Sequence, residues 1–237
     1  MPEKYAAFTI DVEQDCPPFL NSYLGIENGI PTLLHLLRLK KVKATFFVTG
    51  KIAEAYPKII ETILQDGHEL GCHGHTHRSF QTLDYANAKD EIVRASRVLR
   101  TFAPVKSFRA PYLSFPKNFR PILEDQGYEI DSSSTRYKFP RETLQINARL
   151  KLIPVSVTSS ALRLPKITRE LLLKFVNKPP VLFVHPWEFV DFRKSNLRWD
   201  CKFNTGEVAV ECIASIFDFY TQQNVQWVTL SELGERS

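Results

Sequence analysis

Hydrophobic and polar residues follow a repeating order along the chain that predicts strands and helices in alternation. Residues 5–13 alternate between the two classes, with Asp11 and Glu13 on the polar face, as expected for a strand. Residues 44–48 form a continuous apolar run ended by Gly50, which is typical of a strand covered on both faces. Similar reasoning predicts further strands at residues 68–73, 106–109, 128–131, 152–157, 181–185 and 225–229.

Apolar residues at helical spacing predict the connecting helices. Pro31 opens the first of them, whose leucines between Leu33 and Leu37 form one buried stripe. The other predicted helices cover residues 57–65, 83–102, 117–126, 169–177 and 208–220, and residues 132–167 are less regular. Strands and helices that alternate in this way indicate an α/β fold with a parallel sheet. The pattern alone leaves open whether that sheet closes into a barrel.

Composition indicates one globular domain over residues 1–237, since hydrophobic residues make up 43% and charged residues 24% of the chain. We find neither a signal-peptide pattern nor an apolar run long enough to cross a bilayer, so we expect a cytoplasmic protein. The four cysteines form no CxxC pair, which argues against a zinc ribbon. The net charge of +5 suits an anionic or phosphate-bearing substrate, and no motif indicates a nucleic-acid partner.

Candidate chemistry lies at the carboxyl ends of the predicted strands, where parallel sheets carry their active sites. Asp11 and Glu13 project to the same side of the first strand, and such carboxylates repel unless a cation or an arginine lies between them. A solvated strand edge explains this pair equally simply. Arg109 precedes a turn fixed by Pro111 and is suited to hold a carboxylate, although a surface arginine is commoner.

Three of the six histidines fall within residues 73–77. His73 and His77 flank a glycine turn and are suited to bind one metal ion, the alternative being a polar loop with exposed histidines. We expect His75 to be exposed or to support the ligands from behind, and His68 to be structural. His185 ends a strongly apolar strand and is well placed to donate a proton, but a structural histidine explains that position equally well.

Taken in order, these segments resemble the polysaccharide deacetylase (NodB homology) family over the whole chain. The most specific are His73-xxx-His77, residues 109–112 and residues 182–186. Residues 11–13 are similar to the peptidoglycan deacetylase branch, which has Asp-x-acid in this position. The resemblance implies a distorted, incomplete (β/α) barrel of about seven parallel strands and one divalent metal ion, usually zinc.

The resemblance also implies the roles of the matching residues. Glu13, His73 and His77 would bind the metal, although the longer arm of Glu13, where the family usually has aspartate, leaves Asp15 as an alternative ligand. The spacing of Glu13 from the preceding carboxylate favours Glu13. Asp11 would be the general base that activates the attacking water.

The remaining roles implied by the resemblance lie on later segments. Arg109 would position the base, His185 would protonate the leaving amine, and the backbone N–H of Tyr112 would help to hold the oxyanion. Serines follow Asp131 where the family often has a second acid and a tryptophan. The group that tunes His185 is therefore open among Asp131, Trp187 and Glu188.

This reading predicts a metal-dependent hydrolase that removes the N-acetyl group from an N-acetylated amino sugar. The alternatives are an allantoinase-like cyclic amide hydrolase, opposed by the retained metal ligands, and a non-catalytic sugar-binding relative, opposed by Asp11 and His185. Chitooligosaccharides, nucleotide-linked sugars and lipid-linked sugars remain open as substrates, and we expect membrane contact only through a lipid-linked one. Four aromatic residues either stack on a sugar ring or pack in the core: Trp187, Phe189, Phe192 and Trp199.

Overall fold

The structure, a computed structural model, describes residues 4–137, 150–176 and 179–236. These residues form eight strands of one parallel sheet. The strands are β1 Lys4–Val12, β2 Thr45–Val48, β3 Glu69–Cys72, β4 Ser107–Phe108, β5 Ile130–Asp131, β6 Lys151–Leu152, β7 Val181–Val184 and β8 Val225–Val228.

Helices connect most of the strands and cover the outside of the sheet. Within the described residues they are α1 Ile30–Lys40, α2 Gly50–Ala55, α3 Pro57–Gln65, α4 Tyr85–Leu99, α5 Arg120–Asp125, α6 Lys166–Lys174, α7 Trp199–Lys202, α8 Glu207–Thr221 and α9 Leu230–Glu235. Shorter turns are a π-helical one at Gly25–Gly29 and 3₁₀ ones at Phe80–Thr82, Pro111–Leu113, Lys117–Phe119, Ser159–Arg163 and Pro186–Phe189. In this part of the chain, no helix combines the length and the hydrophobicity needed to cross a membrane.

Strand β1 pairs with three other strands of the described sheet. It pairs with β2 on one side, while β8 and β7 pair with its first and second halves on the other. From β2 the order continues through β3, β4 and β5 to β6. The backbone N–H of Ser156 donates to the carbonyl of Val181 at 2.8 Å, which draws the segment after β6 towards β7. The architecture is the predicted incomplete (β/α) barrel of about seven parallel strands, with eight strands in the described residues.

Both faces of β1 are buried. Alternate residues of this strand therefore face two different parts of the interior, the core beneath the helices and the inside of the barrel. Phe8 and Ile10 belong to the main core beneath the helices, where Phe8 packs edge-on against Phe217 of α8 at 5.0 Å. Thr9 and Asp11 face the inside of the barrel and are also buried. A solvated strand edge is therefore excluded as the explanation for Asp11 and Glu13, since both side chains are buried.

Most predicted elements are confirmed, and the differences concern short ones. α3 has the predicted bounds, and α6 begins at Lys166 instead of residue 169. The strand predicted at residues 152–157 is reduced to β6 and an isolated bridge at Val155. Helices α2, α7 and α9 were not predicted, because four to six residues are too few to show a helical period. Residues 138–149 and residue 177, which fall within predicted segments, lie outside the described residues.

The carboxylate of Glu69 joins several strands at their amino ends. Glu69, at the start of β3, accepts hydrogen bonds from the hydroxyls of Thr45 at 2.7 Å and Ser107 at 2.5 Å. It also accepts from the backbone N–H of Ser231 at 3.0 Å. One side chain thus connects the paired strands β2, β3 and β4 to one another and to α9.

We expect Glu69→Ala to lower the free energy of unfolding by about 2–4 kcal/mol, because several buried donors lose their acceptor at once. Urea unfolding of the variant measures this loss. Glu61→Ala on the exposed face of α3 is the matched control, with an expected change within about 0.5 kcal/mol. Equal stability of the two variants would show that the Glu69 bonds contribute nothing net.

Candidate active site and metal centre

Three potential metal ligands meet at the carboxyl ends of β1 and β3. Glu13 follows β1 directly, His73 follows β3, and His77 lies in the turn after it. One ligand atom from each of them lies within 4.8 Å of the others. His73 Nε2 is 3.2 Å from Glu13 Oε2, and His77 Nε2 contacts the same oxygen.

The orientation of His73 is fixed by its second ring nitrogen. Nδ1 lies 2.7 Å from the backbone carbonyl oxygen of Arg109. A carbonyl only accepts, so Nδ1 carries the hydrogen and Nε2 presents its lone pair to the cluster. This backbone contact is the kind that orients histidine ligands in metal sites. His77 reaches the cluster from a backbone conformation with φ 59°, in the turn that also contains Gly74 at φ 74°.

The donor set fits a divalent cation. Two imidazoles and one carboxylate are the ligands that zinc takes when a fourth position stays open. His77 Nε2 is buried and contacts Glu13 Oε2, as expected of two atoms placed to bind the same ion. Burial raises the pKa of Glu13, but the neighbouring His77 and His73 outweigh burial and hold that pKa well below its usual range. The carboxyl group is therefore ionised and ready to bind a cation.

Asp15 is not part of the cluster. Its carboxylate accepts hydrogen bonds from the hydroxyl of Ser22 at 2.7 Å and from the backbone N–H groups of Leu24 at 2.7 Å and Gly25 at 2.8 Å. These bonds hold the start of the π-helical turn. The geometry therefore places Glu13, and not Asp15, beside His73 and His77.

Asp11 is held by a buried arginine. Its Oδ1 accepts a hydrogen bond from Arg109 Nη1 at 2.7 Å, and both side chains are almost fully buried. The same guanidinium donates to Thr9 and Ser132 and lies over the ring of Phe47. Arg109 thereby positions Asp11 as predicted, and the alternative of a surface arginine is excluded.

His185 is the third histidine that faces the cluster. Its Nε2 lies 3.8 Å from Glu13 Oε1, and its Nδ1 lies 2.8 Å from Glu188 Oε1. Glu188 Oε2 in turn pairs with Arg163 Nε at 2.8 Å, and this pair is buried. Because a carboxylate only accepts, Nδ1 carries the hydrogen and Nε2 faces the pocket.

The surroundings of His185 favour its protonated form. Burial disfavours the charge, but the hydrogen bond to Glu188 and the nearby carboxylates of Glu13 and Glu188 outweigh burial and raise the pKa of His185 to about 9. Burial also raises the pKa of Glu188, and Arg163 more than offsets this and keeps it below its usual value. Of the three residues left open by the sequence, Glu188 therefore holds His185.

Asp131 does not share this pocket. It lies at the end of β5 and lines a neighbouring cavity, where Arg120 Nε is 3.5 Å from its Oδ2. Its Oδ1 accepts from the backbone N–H of Ser133 at 2.9 Å. The expectation that Asp131 belongs to the catalytic residues is corrected by this placement, because its side chain lines the neighbouring cavity, whereas Ser132 next to it contacts Arg109.

Tyr112 and Trp187 lie at the pocket, whereas His68 and His75 are buried away from it. Tyr112 and Trp187 both line the pocket, and the Trp187 ring stacks on His185 at 5.1 Å. His68 is buried as expected, and burial lowers its pKa to about 4. His75 is buried against Gly50, which excludes the exposed position, one of the two expected for it.

Sequence reasoning missed Arg163. It lies more than twenty residues before His185, in an irregular segment, and resembles an ordinary surface arginine in the sequence. Its side chain is 1% exposed, and it lines the same pocket. The only sequence signal was Glu188 itself, because a carboxylate buried beside a histidine needs a cationic partner.

Comparison with known proteins places the chain in a family. A family model described as polysaccharide deacetylase matches residues 1–130, which is more than half of the chain. The chain belongs to the polysaccharide deacetylase family. Asp11, the three potential metal ligands and Arg109 all lie within the matched residues, whereas His185 lies beyond them.

Curated relatives of this family are similar over part of their length. A chitooligosaccharide deacetylase of Bradyrhizobium sp. (strain ANU 289) is 34% identical over 98 residues, covering 38% of this chain and 45% of that protein. A chitin deacetylase of Colletotrichum lindemuthianum is 36% identical over 108 residues, covering 42% and 43%. The aligned region thus spans less than half of either relative.

Solved structures share the fold over nearly the whole chain. A family 4 carbohydrate esterase from Streptomyces lividans superimposes with a TM-score of 0.64 at 15% sequence identity. The match covers 94% of this chain and 91% of that one. At this level of identity the likeness shows the fold, and it agrees with the incomplete barrel described above.

We expect Glu13→Ala to weaken zinc binding by more than about 100-fold, because the cluster loses its only anionic ligand. Isothermal titration of metal-stripped protein with zinc measures the affinity. Asp15→Asn is the matched control and should keep the affinity within a few-fold while lowering the thermal stability. Loss of zinc binding in Asp15→Asn but not in Glu13→Ala would reverse the assignment.

We expect Glu188→Gln to move the pKa of His185 in metal-free protein from about 9 towards its ordinary value of 6.5, because an amide carries no charge. The raised pKa contributes stability that is complete below pH 6.5 and is lost as the pH rises through 9. The free energy of unfolding of wild type should therefore fall across that window more steeply than that of the variant.

NMR titration of the His185 ring and urea unfolding at several pH values measure the two effects. Glu207→Gln, on the exposed start of α8, is the control and should behave as wild type. A His185 pKa that is unchanged in Glu188→Gln would contradict the role given to this carboxylate.

Proposed function

We propose that this protein is a metal-dependent deacetylase that hydrolyses the N-acetyl group of an N-acetylated amino sugar. The observation that carries the proposal is one pocket lined by Asp11, Glu13, His73, His77 and His185. It combines a metal-ligand cluster, a carboxylate and a histidine, which are the groups that hydrolysis of an unactivated amide requires. Relatives named as chitooligosaccharide and chitin deacetylases support the same reaction class.

The metal would be held by Glu13, His73 and His77, and the two imidazoles favour zinc over magnesium or calcium. A zinc ion there would polarise the acetyl carbonyl and lower the pKa of water to about 7. The buried, ionised carboxylate of Glu13 would offset part of the positive charge of the metal ion. His73 is held rigid by its bond to the Arg109 carbonyl, so the site is preformed.

Asp11 is the general base in this proposal. Its Oδ1 is occupied by Arg109, so the other oxygen is the one that accepts a proton from the attacking water. Pairing with the guanidinium keeps Asp11 in one orientation, and an oriented base is more effective than a mobile one. The side chains of Arg109 and Asp11 thus act as one unit.

His185 is the general acid. Its Nδ1 is occupied by Glu188, so Nε2 carries the proton that the leaving nitrogen takes up. A pKa raised to about 9 keeps that proton in place at neutral pH. The backbone N–H of Tyr112, on the rim of the pocket, supplies a donor for the oxygen of the tetrahedral intermediate.

Neither alternative from the sequence gains a specific observation. A metal-free cyclic amide hydrolase has no need of Glu13, His73 and His77 with ligand atoms all within 4.8 Å. A sugar-binding protein without catalysis has no need of a base held by Arg109 and an acid held by Glu188 in one pocket.

We expect Asp11→Asn to lower kcat for acetate release by about 10²–10⁴-fold, because it removes the base and leaves the metal ligands in place. The assay uses N-acetylated chitooligosaccharides and metal-stripped protein, with and without added zinc. Wild type should release acetate only with zinc, and Asp90→Asn on the exposed face of α4 should match wild type. Zinc-independent release, or full activity of Asp11→Asn, would contradict the mechanism.

A further inference from the structure

Two of the four cysteines lie together at the wall of the catalytic pocket. Cys16 is in the loop that follows β1, and Cys201 is in α7, near the other end of the chain. Cys201 packs against the small apolar cluster that contains Cys16, and their thiols hydrogen-bond to each other. We call Cys16 and Cys201 the dithiol pair. Neither thiol takes part in the proposed deacetylation, so the pair is a chemical feature that the reaction leaves unexplained.

The remaining two cysteines have different surroundings. Cys72, on β3, belongs to the main core beneath the helices and hydrogen-bonds with Tyr128. Cys212, on α8, hydrogen-bonds with Arg169. Each of them therefore faces a group other than a thiol, and each serves as an internal control for the dithiol pair.

Both members of the dithiol pair are held by their surroundings. Cys16 is 2% exposed and has a left-handed backbone conformation with φ 42°, which a residue with a side chain keeps only when the structure around it fixes that conformation. On the other side, Arg163 donates hydrogen bonds to the backbone carbonyls of Asp200 at 2.9 Å and of Phe203, which flank Cys201. The two thiols are thus kept opposite each other, as closure of a disulfide requires.

The two thiols differ in access to small molecules. Cys16 is buried, whereas Cys201 is half-buried and lines the pocket, so an oxidant that enters the pocket reaches Cys201 first. Burial and the hydrogen bond with Cys201 raise the pKa of Cys16, and its thiol therefore stays protonated at neutral pH. A protonated thiol is a poor nucleophile towards peroxide. These differences make Cys201 the thiol that reacts first and Cys16 its partner.

We propose that Cys16 and Cys201 are a peroxide-sensitive pair whose oxidation to a disulfide slows the enzyme. The Cys201 sulfur attacks one oxygen of hydrogen peroxide, the O–O bond breaks, and a sulfenic acid and water form. The Cys16 sulfur then attacks the sulfenic sulfur, so that the S–S bond forms and the S–O bond breaks. The hydroxyl leaves as water with the proton of the Cys16 thiol. The two thiols lose two electrons, and the peroxide gains them.

A disulfide at this place acts on the surroundings of the general acid from both sides. Cys16 shares its apolar cluster with Trp187, whose ring stacks on His185 at 5.1 Å. The carbonyls beside Cys201 hold Arg163, which pairs with the carboxylate that holds His185. A disulfide brings the two sulfurs closer than a thiol contact does, and so displaces both supports. The effect on activity rests on the proposed function, whereas disulfide formation depends on the two cysteines alone.

Mass spectrometry of metal-stripped protein after treatment with hydrogen peroxide tests disulfide formation. We expect wild type to lose about 2 Da, and digestion without reductant to yield a linked pair of peptides that holds Cys16 and Cys201. Cys16→Ser and Cys201→Ser should form no such link, while Cys212→Ser is the matched control and should form it as wild type does. A gain of about 16 Da without a link, or a link that uses Cys72 or joins two molecules, would overturn the inference.

Acetate release from N-acetylated chitooligosaccharides, with zinc added after oxidation, tests the effect on activity. Each protein is compared with itself before and after peroxide. We expect the rate of wild type and of Cys212→Ser to fall about tenfold and to recover with dithiothreitol, because a displaced catalytic group loses its alignment. The rate of Cys201→Ser should change less than about twofold, since the thiol that reacts first is absent.

Two outcomes of the rate measurement would count against the pair as a control device. A linked wild type with an unchanged rate would show that the disulfide does not reach the active site. A loss in Cys201→Ser as large as in wild type would place the damage by peroxide elsewhere in the protein. Either result would overturn the inference.

The mass and rate measurements also separate this inference from the proposed function. A disulfide between Cys16 and Cys201 in a protein that releases no acetate even when reduced would support the dithiol pair and contradict the deacetylase reaction. Acetate release by the reduced protein, with no link after peroxide, would support the reaction and overturn the pair.

Discussion

The active site is built around one buried positive charge. The Arg109 guanidinium is fully removed from water, and such a charge is tolerated only when a counter-charge and hydrogen-bond acceptors surround it. Asp11 supplies the charge, Ser132 supplies an acceptor, and the ring of Phe47 covers one face. The Arg109 carbonyl also orients His73. The contacts of Arg109 therefore fix the carboxyl ends of β1, β3, β4 and β5 relative to one another.

Much of this site was predictable from the sequence, because parallel strands bring their carboxyl ends to one edge. Asp11, His73 and Arg109 each follow or end a strand that its apolar residues reveal, and their convergence follows from topology. The two-residue period of a strand places Glu13 and Asp15 alike on the side of Asp11, and only the fold separates them, because β1 ends at Val12 and Asp15 caps a turn. The existence of the shortest helices did not follow, since four to six residues carry too little pattern.

The sequence was least informative where contacts are long-range and polar. Arg163 meets Glu188 only because the turn at Ser159–Arg163 folds over the end of β7, and nothing in the local pattern signals that approach. Asp131 illustrates the reverse error, since it ends a strand in the expected way but faces a different cavity. The position of a residue at a strand end predicts at which end of the barrel it lies. The cavity that its side chain lines depends on the curvature of the sheet.

The pairing of β1 with the last two strands of the chain affects how the chain folds during synthesis. Its first residues pair with β8 and its middle residues with β7, so partners more than 170 residues away complete it. Closing such long loops is slow, and until then one edge of an apolar strand stays open to other chains. The first strand of this chain to be synthesised is therefore among the last to be completed, after β7 and β8 have left the ribosome.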